Sequence, residues 1–366
     1  MINRFADPAI GKRILEEIRR FGGRATIMEV CGTHTVAIFR AGIRDGLPET
    51  VNLVSGPGCP VCVTPVETVE KAVRLSFRKN TTLFCFGDMM RVPAANGTIE
   101  SAISRGASVR MMYSPMEALE HARENPQVDT ILFGIGFETT IPLFASVLMR
   151  AQKEDIRNLY LLCAFKLIPP ALHALLSSED AEIDGFMLPG HVSTIIGEDA
   201  YRFLETRYRV PAVITGFEPV DILKGIAMLI QLIEKGIPEV RNEYSRFVSK
   251  QGNLKAQETI HAVFTECDAS WRGLGTIPAS GLALKNGFSR FDAEALVDFD
   301  IPAIPERPGC LCGEVIKGKK KPIDCKLYGT VCTPSRPIGP CMVSSEGTCA
   351  AFYKYAFVKK RGNHET

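Results

Sequence analysis

Residues 26–35 read Thr26-Ile27-Met28-Glu29-Val30-Cys31-Gly32-Thr33-His34-Thr35, and their reading decides the fold. A short apolar run stops at a cysteine and a glycine, and a helix-like segment follows. The pattern recurs at 51–54, 82–86, 108–113, 130–135, 159–165, 185–188 and 212–215. Runs of this length, rich in β-branched residues and closed by glycine or proline, are strands rather than helix fragments. Their continuous apolar character suits parallel strands covered on both faces. The segments between them, at 66–77, 116–124, 141–152 and 200–207, carry helical periodicity, so the chain alternates as α/β layers.

Eight strands can close one barrel or form two open sheets. The strand-end loops of the two halves differ strongly, which favours two parallel-sheet α/β domains, at 25–115 and 116–219. The N-terminal helix, within 1–24, is expected to pack on the C-terminal part. Residues 220–265 read as wholly helical. From about 266 the chain is rich in glycine, proline and cysteine, and such a region needs a cofactor to fold around. Residues 220–366 thus form a helical segment followed by an irregular, cysteine-rich iron–sulfur domain. Residues 361–366 read as a frayed polar end. Gly136-Phe137-Glu138 and Gly216-Phe217-Glu218 each follow a strand and hint at duplication.

The 366 residues carry a net charge of +2, so no global basic field points to nucleic acid. No apolar run reaches the ~20 residues of a membrane span, and the first 20 residues lack a secretory pattern. The expected location is the cytoplasm, with neither nucleic acid nor membrane as partner. Twelve cysteines then point to metal binding or redox chemistry, because disulfides do not persist in a reducing compartment.

In open parallel sheets, ligands gather at the carboxyl ends of the strands. Cys31 ends the first strand and opens a helix whose free amides favour a thiolate. It is a candidate nucleophile, a soft iron ligand or a buried free cysteine, with His34 three residues on. Cys59 and Cys62 form a Cys-x-x-Cys in the turn Ser55-Gly56-Pro57-Gly58-Cys59-Pro60-Val61-Cys62. They read as a redox pair, as metal ligands that Cys31 and His34 could complete, or as a structural pair. Asp88, Glu138 and His191 stand at further strand ends, where each suits a helix cap and together they suggest a polar cleft. Cys85 and Cys163 lie inside apolar runs and read as core residues, and Cys267 has no partner signature.

The tail holds Cys310, Cys312, Cys325, Cys332, Cys341 and Cys349. Four thiolates from Gly/Pro-rich loops suit a [4Fe–4S] cluster. Cys312, Cys325, Cys332 and Cys349 are the expected ligands, with Cys341 and then Cys310 in reserve. A zinc site of four cysteines competes, although zinc sites usually use close cysteine pairs separated by about two to four residues. The basic run Lys317, Lys319, Lys320, Lys321 reads as a solvated loop or a docking patch for an acidic partner.

The first motif, the Cys-x-x-Cys turn, Gly136-Phe137-Glu138-Thr139-Thr140, Pro189-Gly190-His191 and the tail Met342-Val343-Ser344-Ser345-Glu346-Gly347-Thr348-Cys349 together resemble the hydrogenase maturation factor HypD family. The resemblance runs from about residue 10 to 356. It implies a scaffold, acting with a HypC-like chaperone, for assembling the Fe(CN)2CO group of [NiFe]-hydrogenases, with cyanide taken from a HypE-like donor. It implies that Cys31 binds the transient Fe(CN)2CO iron and that Cys59 and Cys62 form a thiol/disulfide pair beside it. The tail cluster would supply electrons. His34 would move protons or polarise a ligand, and Glu138 would orient it or meet a partner. Such a protein is a redox-active assembly scaffold rather than a conventional turnover enzyme, and is expected to be monomeric alone. The alternatives are a stand-alone iron–sulfur thiol–disulfide oxidoreductase and a zinc-stapled binding module. Cys31 separates the first two, because a dithiol reductase needs no third thiol.

Overall fold

A computed structural model describes residues 4–178, 182–297, 299–302 and 304–362, with side chains in the last helix described to residue 356. Of the polar ending at 361–366, residues 363–366 lie outside the described residues, as do residues 1–3 of the N-terminal segment.

All eight expected strands form. They are β1 (Ala25–Glu29), β2 (Val51–Ser55), β3 (Thr81–Cys85), β4 (Val109–Met111), β5 (Asp129–Gly134), β6 (Leu159–Cys163), β7 (Gly185–Pro189) and β8 (Ala212–Thr215). With β9 (Val240–Asn242) they make two wholly parallel sheets, ordered β2-β1-β7-β8-β9 and β4-β3-β5-β6.

Successive residues of β1 enter different cores, as parallel strands covered on both faces require. Ile27 packs with Ile14, Ile18, Val213 and Ile226 under α1 (Pro8–Ile18) and the helix Pro219–Lys235. Met28 faces the opposite core, which it shares with Leu188, Leu83 and Trp271. The outer face of the second sheet is closed by Phe144, Leu148 and Phe264.

Three boundaries differ from those expected. The division near residue 115 does not follow the sheets: β1 and β2 pair with β7 to β9, and the whole second sheet is inserted between β2 and β7. Pairing partners distant in sequence cannot be read from local periodicity. The helix α1 packs on Pro219–Lys235 rather than on the cysteine-rich tail. Residues 220–265 are not wholly helical, because β9 adds the fifth strand of the first sheet.

An antiparallel hairpin, β10 (Phe264–Trp271) and β11 (Gly275–Leu284), lies where the composition suggested irregular chain. Gly275, Pro278 and Gly281 disguise it, since such residues weaken a strand signal. A bulge between Cys267 and Ala269 and a positive φ at Ala279 absorb the irregularity.

Candidate functional site

Each sheet has one point where successive connections leave in opposite directions, and a crevice opens there. In the first sheet it lies between β1 and β7, so the loops carrying Cys31 and His191 stand side by side. In the second it lies between β3 and β5, which brings Asp88 and the loop Ile135-Gly136-Phe137-Glu138 together. The Cys-x-x-Cys turn follows β2 and runs between the two.

Cys31 caps α2 (Gly32–Arg40) in an extended conformation and is buried. The backbone N–H groups of Thr33 and His34 at the helix start favour its thiolate, although the sulfur accepts no capping hydrogen bond. They do not win. Burial, with Glu346 and Glu29 nearby, pushes the thiol up to about 12. Without a bound cation this sulfur is therefore a thiol, and a soft metal ion would deprotonate it.

Beneath it lies Glu29, a carboxylate buried inside a strand. It accepts from the Thr35 hydroxyl at 2.6 Å and from the Cys31 N–H at 3.4 Å, and burial pushes it up to about 7. Sequence reading passed over Glu29, although a charged residue within an apolar strand was the available signal.

His34 is fully buried and neutral, drawn down to about 4 by burial. Its Nε2 lies 2.9 Å from the Gly216 carbonyl oxygen, which can only accept, so Nε2 carries the proton. Nδ1 is buried and has no partner. Phe217 stacks on His34 at 4.7 Å and on exposed His191 at 3.9 Å, joining the two histidines through one ring. The two Gly-Phe-Glu triplets are not equivalent: β5 stands at its sheet's switch point, whereas β8 stands one strand beyond it. Glu138 is buried, with Oε1 accepting from the Ile168 N–H at 2.9 Å and Oε2 unpartnered. Burial pushes it up to about 7.

Cys59 and Cys62 are joined as a disulfide, with Cα atoms 5.3 Å apart. The turn presses on the Cys31 loop, where the Gly32 N–H donates to the Gly58 carbonyl at 3.0 Å. A Cβ on Gly58 would lie 2.2 Å from the Cys31 nitrogen, so only glycine fits this crossing. The hairpin closes the turn from the other side. The backbone N–H of Arg272 donates to the Val63 carbonyl and its Nε to that of Thr64, while Trp271 stacks near Phe137.

The tail is clasped onto both crevices. Glu346 accepts from the Thr33 hydroxyl at 2.6 Å. Asp88 accepts from the Ser345 N–H at 2.9 Å and its hydroxyl at 3.0 Å, so it anchors the tail. Asp88, Ser345 and Glu346, with Pro60, Val61 and Met111, border a crevice of about 480 Å3.

The six tail cysteines converge. Cys310, Cys312, Cys325, Cys332 and Cys349 line one cavity, and Cys341 joins through thiol contacts with Cys312 and Cys349. The contact with Cys312 draws Cys310 down to about 7, while that with Cys310 holds Cys312 up. Cys332 accepts from the Ile338 N–H at 3.4 Å, and the Cys325 thiol donates to the Gly309 carbonyl at 3.5 Å. Among the described residues, no three His, Cys, Asp or Glu side chains stand in a metal-holding arrangement. Cys310, Cys312, Cys341 and Cys349 instead stand close enough to shift one another's titration. As a donor set, thiolates in Gly/Pro loops with an amide aimed at one sulfur fit an iron–sulfur cluster. Cys85 is core, as expected, and the Cys163 thiol is half-buried and donates to the Leu282 carbonyl at 3.0 Å.

Residues 9–356 match the family model described as HypD: Hydrogenase formation hypA family. The hydrogenase maturation factor HypD of Escherichia coli (strain K12) is 46% identical over 330 residues, covering 90% of this chain and 88% of that protein. The HypD of Azotobacter vinelandii is 45% identical, covering 90% and 89%. That of Cupriavidus necator is 42% identical over 369 residues, covering 98% and 97%. A parallel α/β scaffold with Cys31 at one switch point, a disulfide turn beside it and a clasped cysteine-rich tail thus belongs with the hydrogenase maturation factors. The chain belongs to the HypD family. Among the described residues, no helix is long and apolar enough to cross a membrane.

Proposed function

We propose that this protein is the scaffold on which the Fe(CN)2CO group of a [NiFe]-hydrogenase is assembled in the cytoplasm, with a HypC-like chaperone and a HypE-like cyanide donor. The observation that carries the reading is the convergence at Cys31: a buried thiol, a neutral histidine with a free ring nitrogen and a disulfide turn in backbone contact with it. Low-spin iron with π-acceptor ligands suits a soft thiolate, and iron under assembly is the cargo here. Cys31 holds it, and the burial that keeps the free thiol protonated excludes water from the loaded site. Glu29 fixes the Cys31 loop through Thr35. His34 keeps Nδ1 as a buried, unpartnered acceptor, and Glu138 orients the neighbouring turn through the Ile168 N–H.

A [4Fe–4S] cluster, when bound, supplies single electrons. Cys312, Cys325, Cys332 and Cys349 are its proposed ligands, with Cys341 in reserve. Opening the Cys59–Cys62 disulfide to two thiols takes two electrons and two protons. The clasps through Glu346 and Asp88 hold the tail against the crevices on either side of the turn that carries this pair.

The test is spectroscopic. Anaerobically purified protein should be brown with a four-iron cubane signal by Mössbauer spectroscopy; a colourless zinc protein would sink the cluster. Serine at each proposed ligand should remove the colour, and loss at Cys341 with retention at Cys312 would exchange those two. Cys31→Ala should lose the infrared bands of iron-bound cyanide and carbonyl in the complex with the chaperone, yet keep the cluster. Retained bands would place the iron elsewhere, and absence of such bands from the wild-type complex would favour the stand-alone oxidoreductase.

A further inference from the structure

Residues 317–336 follow the short helix Cys312–Ile316 and run through Cys325 and Cys332. They carry Lys317, Lys319, Lys320, Lys321, Lys326 and Arg336 against one acid, Asp324. The whole chain carries only +2, so the rest of the molecule is net acidic and the basic charge is concentrated here. Lys317 pairs with Glu314 at 2.6 Å, whereas Lys320, Lys321, Lys326 and Arg336 are exposed. Asp324 is engaged locally by the Lys321 N–H at 2.8 Å.

Ile323 and Val331 stand out from the same loop, 64% and 49% exposed. They lie within two residues of Cys325 and Cys332, which line the cysteine cavity, and Cys325 is itself partly exposed. An apolar centre rimmed by one sign of charge is the usual anatomy of a transient protein contact.

We infer that this face receives an acidic one-electron carrier protein, which feeds the tail cluster through the Cys325–Cys332 side. The inference rests on the iron–sulfur reading given above. The charge argument selects the partner: a basic patch on a net-acidic molecule attracts an acidic protein. Each carrier is oxidised by one electron, so reduction of the Cys59–Cys62 disulfide to two thiols draws on two successive dockings and two protons from solvent.

The probe is a strongly acidic [2Fe–2S] ferredoxin, added to the full-length protein purified anaerobically. Labelled oxidised ferredoxin should bind, by fluorescence anisotropy, with an affinity that falls steeply with salt. The variant Lys320→Glu/Lys321→Glu/Lys326→Glu should bind about tenfold or more weakly. Ile323→Ala/Val331→Ala should weaken binding and leave the salt slope unchanged. In stopped-flow mixing, reduced ferredoxin should bleach the charge-reversed protein about tenfold more slowly, with reduction by dithionite unchanged. Equal ferredoxin binding by wild type and the charge-reversed variant would overturn the inference. So would equally tight binding of a DNA oligonucleotide or a redox-inactive acidic protein. A colourless protein that still bound ferredoxin through these lysines would refute the cluster and leave the docking face standing.

Discussion

The Cys31 loop and the cysteine-rich tail both present thiols, yet they are held in place by different means. Cys31 sits on a strand and a helix, and its position is fixed by backbone. The Val30 N–H donates to the Met187 carbonyl and the Gly32 N–H to the Gly58 carbonyl. The tail cysteines sit on loops, one-turn helices and, for Cys349, the start of the helix Thr348–Gly362, and side chains fasten the tail: Glu346 to Thr33, Asp88 to Ser345, and Arg91 to the Val343 carbonyl at 3.1 Å. Backbone packing gives one rigid geometry. Side-chain clasps allow a region to take its shape around a bound group. The difference matches the roles proposed for them, since a cargo site would have to release and reload without rearranging, whereas a resident cluster would be part of its own fold.

The largest test falls on the rigid side. Gly58→Ala drives a Cβ into the backbone of Val30 and Cys31 at 2.2–2.5 Å, and neither can move without shifting β1. The expected cost is about 4 kcal/mol or more, read as lost soluble yield and a lowered Tm. A variant that melts like wild type would show that the crossing is looser than the contact implies.

The second test concerns burial under Cys31. His34 is held near 4 in the folded protein, below its unfolded value of about 6.5, so the folded state binds fewer protons between those limits. Stability is therefore lost as pH falls through that window, by about 3 kcal/mol from this group. The buried carboxylates Glu29 and Glu138 act in the opposite sense as pH rises from 4.5 toward 7. Comparison with His34→Gln isolates the histidine, because both proteins keep the carboxylates. Denaturant titrations at pH 5 and 7.5 should show a smaller acid loss in the variant, and parallel curves would mean that the imidazole is not buried neutral.

The smallest effect is expected at the clasp. Glu346→Ala removes the hydrogen bond from Thr33 and a negative charge near Cys31, at a cost of about 1–2 kcal/mol. Hydrogen exchange should rise in residues 340–349 before it rises in β1. If Glu346→Ala cost as much as Gly58→Ala, the contrast between backbone and side-chain anchoring would fail.

Much of the scaffold was legible locally. The run at 26–30 announced β1, and Gly/Pro punctuation placed Cys31 and the Cys-x-x-Cys at strand ends, because a strand's length and its stop are local properties. Glu29 shows the limit. Its charge was visible, but that it supports the Cys31 loop depends on Thr35 coming back over it one helical turn later. The hairpin β10–β11 was hidden by glycines and a proline that a bulge makes harmless.

By itself the sequence determined the α/β class, the eight parallel strands and the concentration of thiols in the tail, all of which follow from short-range pattern and composition. Only the tertiary structure decided that the second sheet is inserted into the first, that His34 shares Phe217 with His191, and that Glu346 clasps the Cys31 loop. Those facts depend on which distant segments pair, and pairing is settled by burial and backbone hydrogen bonding across the folded whole.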